Sequence, residues 1–169
     1  ASLIRFLEAY QSQILIPHEL PAIQRAYRHA SRHETRELIS FDQQLVDEPA
    51  LKCFAKASRR VGQAQLKRLR PLRDERLLQR YLRSVEAAES HGWHTLVYGL
   101  TLSVYSLPVL QGLTSYEKQT LLGFMHAVSR NLRLSENDCR EILERLSPAF
   151  PRPVEPILGS DESVRTHFS

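Results

Sequence analysis

The sequence predicts an all-α fold, a single-domain bundle of seven to eight mostly antiparallel helices. Three observations predict it. Apolar residues recur at helical spacing along nearly the whole chain. Glycine supplies only 6 of 169 residues, too few for the turn-dense layout of a β-sandwich or barrel. The breaks between apolar stripes are short, which makes consecutive helices antiparallel neighbours. Composition agrees: 42% hydrophobic and 25% charged residues are globular proportions, which exclude disorder of the whole chain.

Taken in order, Leu3, Phe6, Leu7, Tyr10 and Ile14 mark one face of a first helix, which Pro17 is expected to break. Ile23, Ala26, Tyr27 and Ala30 mark the next, with Pro21 tolerated in its first turn. Leu38, Phe41 and Leu45 follow. Asp47-Glu48-Pro49 reads as an N-cap region opening a long helix through Leu51, Phe54, Ala55, Ser58, Val61 and Gly62, which ends near Arg70 ahead of Pro71. Leu77, Leu78, Tyr81 and Val85 form another stripe, and His91-Gly92 marks a break.

Beyond the break come Trp93, Leu96, Val97, Leu100, Val104 and Leu107. Leu100 to Val104 also alternate like a strand and are rich in β-formers. Length decides for a helix, since the pattern runs about four turns and strands are usually about five or six residues. Thr114-Ser115-Tyr116-Glu117 has the form of a capping box, followed by Leu121, Met125, Val128 and Leu132. Ser135 is expected to cap the last helix with Asp138 three residues on, and Cys139, Ile142, Leu143 and Leu146 to face inward. The helical domain is thus 1–147, and 148–169 a proline-rich tail, extended or partly disordered.

No run of 18 apolar residues exists, so no membrane-spanning helix is expected. The opening residues Ala1 to Arg5 already carry helical periodicity and do not read as a signal peptide. Cys53 and Cys139 have no C-x-x-C partner, so free, buried thiols in a reducing, cytoplasmic setting are expected.

Reactive constellations are poorly represented. His29 and His33 stand at i, i+4 and are the weak candidates for a metal pair, but the adjacent Glu of a zinc protease is lacking. A surface pair among Arg28 and Arg32 is the better reading. His94, opening an apolar stripe, reads as a packing or capping residue. No Ser sits on a G-x-S-x-G elbow, and no glycine-rich phosphate loop exists. Asp74-Glu75 and Asp161-Glu162 lie on polar stretches unsuited to a general acid/base pair. The chain is therefore not read as an enzyme, and no directly bound cofactor is expected.

Charge is more informative. The net charge is +4, but residues 52–83 hold 11 basic residues against Asp74 and Glu75, a local +9 that leaves −5 on the rest. Such a patch suits an acidic protein partner or a phosphate backbone. A basic all-α nucleic-acid-binding module using 52–83 is the alternative function. The aromatics there, Phe54 and Tyr81, sit on core stripes, which disfavours base stacking and makes nucleic acid the weaker reading. Gly62 and Gly99 fall inside helices, where glycine costs about 0.5–1 kcal/mol against Ala, so close approach of a second element is the expected reason for each.

Several of these segments, in order, resemble the UreF family of urease accessory proteins. They are Leu3-Ile4-Arg5-Phe6-Leu7-Glu8, Glu19-Leu20-Pro21 and Arg25-Ala26-Tyr27-Arg28. Ala57-Ser58-Arg59-Arg60-Val61-Gly62-Gln63 is similar to that family's S-R-x-h-G-R helix, and His94-Thr95-Leu96-Val97-Tyr98-Gly99 to its H-P-V-x-F-G signature. Leu134 to Arg140 occupies the place of L-G-Q-T-D-G-Q, with Leu134 and Asp138 matching outright. The resemblance spans about residues 3–146; Thr95 stands where Pro is usual, and the family's N-terminal P-x-G-x-F and G-L-E signatures have no counterpart.

The resemblance implies an all-α, non-catalytic scaffold that forms a homodimer. It implies binding of a UreD/UreH-type accessory protein, which the family's C-terminal tail helps to contact, recruitment of the GTPase UreG, and nickel delivery to apo-urease. Nickel and GTP would then enter only through partners. It also points to Arg59, Gly62, His94, Tyr98, Gly99 and Asp138 as family-motif or partner-binding candidates. Of these, Tyr98–Gly99 is expected to bring two helices close and Asp138 to complete the last helix's N-terminus.

Overall fold

The computed structural model describes residues 2–151, and these are helical almost throughout, with no strand among them. The chain runs α1 (Ser2–Tyr10), a π-helical segment (Gln11–Glu19), α2 (Leu20–Ser31), α3 (Thr35–Gln44) and two 3₁₀ segments (Leu45–Asp47, Pro49–Phe54). Then come α4 (Ala55–Arg68), α5 (Arg76–Glu86), α6 (His94–Val104), α7 (Val109–Leu132), α8 (Glu136–Leu146) and a 3₁₀ turn (Ser147–Ala149). Tyr10–Val109 forms one compact unit; Ala1–Ala9 and Leu110–Ser169 belong to a second.

Pro17 does not break the helix as expected. The backbone widens into π-helical turns, with Leu20 N–H donating to Leu15 O, and runs straight into α2. A wider turn relieves the clash between a proline ring and the carbonyl four residues back. The long helix expected from Asp47 also begins later. Glu48, held extended ahead of Pro49, interrupts the path, and α-geometry starts at Ala55. Val61, expected inward, is 40% exposed, because Gly62, Leu66 and Leu69 carry the buried face.

The expected cap at Thr114 is overturned. α7 already begins at Val109, and the Thr114 hydroxyl donates back to Leu110 O at 3.1 Å, the bond a mid-helix threonine makes. The Trp93–Leu107 stripe is helical rather than a strand, as length argued, but α6 runs only His94–Val104: it buries Leu96, Val97 and Leu100, while Leu107 lies beyond the cap and is exposed.

Scarce glycine leaves its mark at helix ends. α2 closes with Glu34 N–H on His29 O and His33 N–H on Ala30 O, the paired bonds of a Schellman cap. His33 occupies the left-handed position at φ 55. Ala88 (φ 59) and Ser106 (φ 54) close α5 and α6 in the same pattern, and Arg133 (φ 53) follows α7.

The core of the Tyr10–Val109 unit gathers Ala26, Leu38, Leu66, Leu78, Tyr81 and Leu96, with Trp93 and Leu100. Bonded Asp42 is buried within the same unit. In the second unit Leu7, Leu121, Met125, Cys139 and Leu146 pack together, and Phe6 meets Phe124 edge-on at 5.3 Å. Phe150 joins this cluster, so the tail expected to be extended from Pro148 begins instead with a 3₁₀ turn and a buried aromatic. Phe150 itself is extended, at φ −73 and ψ 151, and buries its ring in that conformation. The rest of that tail expectation, 152–169, lies outside the described residues. Of the thiols expected buried, Cys139 is buried and Cys53 is exposed, because the short 3₁₀ segment carrying it buries none of its residues.

Candidate functional site

The motif residues on α4 and α6 meet at one junction in the Tyr10–Val109 unit. It is built on near-contact of backbone. A Cβ on Gly62 would stand 2.0 Å from Gly92 O, 2.7 Å from His94 N and 2.8 Å from Trp93 C. A Cβ on Gly99 would stand 2.4 Å from Ile23 O and 3.0 Å from Tyr27 N, so α6 lies directly on α2. Both glycines thus do what close approach predicts. At Gly62 the approaching element is the loop leading into α6.

That loop is held by a carboxylate the sequence reading missed. Asp42, fully buried on α3, accepts from His91 N–H at 2.7 Å through Oδ1. Its Oδ2 accepts from Gly92 N–H at 3.0 Å and Tyr81 O–H at 2.5 Å, and its backbone O accepts from Trp93 Nε1 at 2.9 Å. Burial, then the neighbouring Asp42 charge, push the Tyr81 phenol well above its ordinary range, so it stays a donor. The signal was present: Asp42 stands at i+4 from Leu38 and beside Phe41, a stripe position where a charged residue must be bonded if buried. Gly92, at φ +72, supplies the left-handed turn the loop requires.

His94 begins α6. Trp93, as N-cap, makes no side-chain cap bond. Ser58 on α4 serves instead, its Oγ accepting from His94 N–H at 3.1 Å. The His94 ring places Nδ1 3.1 Å from Gln65 Oε1, so the proton sits on Nδ1, and the ring lies 6.4 Å from Tyr98. Burial holds its pKa below the ordinary imidazole value, and burial raises that of the Tyr98 phenol. His94 is thus a packing residue, one of the two roles its position suggested; the other, the cap, falls to Ser58.

Arg59 flanks the buried face of α4, partly exposed, in a shallow concavity lined by Lys52, Lys56, Arg60, Gln63 and Lys67. The structure therefore brings Arg59, Gly62, His94, Tyr98 and Gly99 onto one pair of helices, with the glycines inside and the cations outside.

Asp138 belongs to the second unit. Its carboxylate accepts from Ser135 N–H at 2.9 Å while Ser135 Oγ accepts from Asp138 N–H at 3.1 Å, the reciprocal capping box expected of it. Those bonds hold its carboxyl below the ordinary range.

The metal pair is not formed. His33 has left the α2 helix for the Schellman position. His29 Nε2 accepts from Arg25 Nε at 3.4 Å, and Nδ1 faces Glu34 Oε1 at 3.0 Å, so both ring nitrogens are engaged. Among the described residues no three His, Cys, Asp or Glu gather as metal ligands, and no helix is long and apolar enough to cross a membrane.

Among protein families, the model described as UreF matches residues 1–147. No curated protein and no solved structure matches the chain.

Proposed function

The chain belongs to the UreF family of urease accessory proteins, and on that premise we propose that it is a non-catalytic docking scaffold for nickel insertion into apo-urease. In this reading it binds a UreD/UreH-type partner, and the pair recruits or regulates the GTPase UreG. Nickel and GTP belong to those partners, and the scaffold works as a cytoplasmic homodimer.

The observation that carries the reading is the family match over 1–147, which takes in both compact units and supports treating them as one functional domain. The chemistry of the motif junction supports the same role. Asp42 and Ser58 hold backbone amides of the loop, while Tyr81 bonds Asp42 and the His94 imidazole bonds Gln65. We assign Gly62, Gly99, His94 and Asp138 to that framework and Arg59 to partner contact, with Tyr98 at the junction's edge.

The test is co-purification. A tagged copy is mixed with purified UreD-type and UreG-type proteins and run by size exclusion. Co-elution of the UreD-type protein, and of UreG only when that protein is present, is expected. A chain that elutes without either across a range of concentrations overturns the reading.

A further inference from the structure

We propose that the outward face of α4 and the turn before it are a docking surface for an acidic helical segment of a partner polypeptide. The inference stands on the surface itself and does not depend on the urease-maturation reading.

Lys52, Lys56, Arg59, Arg60 and Lys67, with Gln63 among them, line one concavity. Lys56, Arg59, Arg60 and Lys67, at i, i+3, i+4 and i+11, share one side of α4, and Lys52 stands on the 3₁₀ turn before it, a row of roughly 23 Å. Among the described residues none of the five cations is in an ion pair, whereas nearby Arg70 is neutralised by Glu86. A bare row of cations beside a neutralised one is a surface with electrostatic capacity left for a partner.

The row is also rigid from behind. Gly62 sits against Gly92, Ser58 bonds His94 N–H, and Gln65 bonds the His94 ring. A docking partner therefore meets a helix whose backbone is already held in place, so only the side chains are left to order.

A protein carboxylate row fits better than nucleic acid. The aromatics of this stretch are withdrawn, Tyr81 fully buried and Phe54 packed edge-on against Tyr10 at 5.5 Å, leaving no stacking platform. A long duplex would overrun a row of this length. A partner helix bearing Glu at i, i+4, i+7, i+11 and i+15 lays one acidic face along the same roughly 23 Å, and Arg59 and Arg60 add forks suited to carboxylates.

The experiment uses the full chain and three labelled probes read by fluorescence anisotropy at about 50 and about 200 mM salt. The probes are an alanine-based helical peptide with Glu in that register, the same peptide with Gln for Glu, and a duplex DNA of about 20 base pairs. The Glu peptide is expected to bind at least about tenfold more tightly than the Gln peptide, and to weaken with salt. The double substitution Lys56→Glu, Arg60→Glu is expected to weaken it a further tenfold or more. Lys56→Gln, Arg60→Gln covers any folding failure of the reversal, with an intermediate loss expected. Lys118→Glu, exposed on α7, is expected to change nothing. Equal binding of the Glu and Gln peptides, indifference to both double variants, or tighter binding of the duplex than of the Glu peptide would each overturn the proposal.

Discussion

Gly62 and Gly92 stand so close that a single methyl group on Gly62 would lie 2.0 Å from the Gly92 carbonyl oxygen. The obstacle is the backbone of one loop, since His94 N and Trp93 C also lie within 2.8 Å of that methyl position. A helix-interior glycine ordinarily favours replacement by Ala, by about 0.5–1 kcal/mol. Here the sign reverses. Gly62→Ala is expected to lower stability by about 1–3 kcal/mol, because the α6 entry loop must move. Gly123, in α7 with nothing near its Cβ position, is the internal control, and Gly123→Ala should raise stability by about 0.5–1 kcal/mol. Urea midpoints of the two variants decide the point; a stabilised Gly62→Ala would mean the loop is not held where the structure places it.

Asp42 carries the loop from the other side. Asp42→Ala strands the Tyr81 hydroxyl and the His91 and Gly92 amides without their acceptor, at an expected cost of about 3–5 kcal/mol. Tyr81→Phe removes only a donor and should cost about 0.5–1.5 kcal/mol. The chain has one tryptophan, and Trp93 Nε1 donates to Asp42 O, so emission of that residue reports the loop directly. A red shift is expected in Asp42→Ala and little change in Tyr81→Phe.

Ala88 closes α5 in the left-handed region at φ 59 with a side chain that gains nothing there. A non-glycine residue in that conformation costs about 1–2 kcal/mol. Part of that returns as extra chain entropy when Gly replaces it. Ala88→Gly is therefore expected to stabilise the protein by about 1 kcal/mol, measured as a rise in urea midpoint at unchanged slope. A loss of stability would mean that the Schellman bonds to Val85 and Ser84 do not set the end of this helix.

What was legible in the sequence is what local spacing controls. The stripes at Ile23–Ala30 and Leu77–Val85, the cap at Ser135 with Asp138, and the two close-approach glycines could be read from periodicity and residue type. What was not legible depends on backbone responses. Pro17 signals a break, but a π-turn absorbs it. Thr114 offers the same hydroxyl to a cap or to the carbonyl four residues back, and only the earlier helix start decides. His29 and His33 keep ligand spacing only if the helix continues through His33, and a non-glycine Schellman cap ends it first. Asp42 escaped notice because its donors, His91, Gly92 and Tyr81, are 39 to 50 residues away in sequence.

His94 makes the junction sensitive to acid. Burial lowers its pKa below the ordinary 6.5, so the folded protein takes up the second ring proton less readily than the unfolded chain. The sign follows from linkage. Where the unfolded state binds more protons, stability rises with pH, so the contribution of neutral His94 is fully present above about pH 6.5 and is lost as pH falls through the depressed folded value. The 3.1 Å contact of Nδ1 with Gln65 Oε1 is available to either protonation state, so the pH dependence comes from burial alone. His94→Gln removes both the ring packing and the titration. Its stability deficit against the wild type should therefore be largest at about pH 7.5 and narrow at about pH 5.5. Urea unfolding of both proteins at several pH values across that interval measures the gap. Parallel curves would show that the ring titrates as freely in the folded protein as in the unfolded chain, and that the α4–α6 junction does not shelter it.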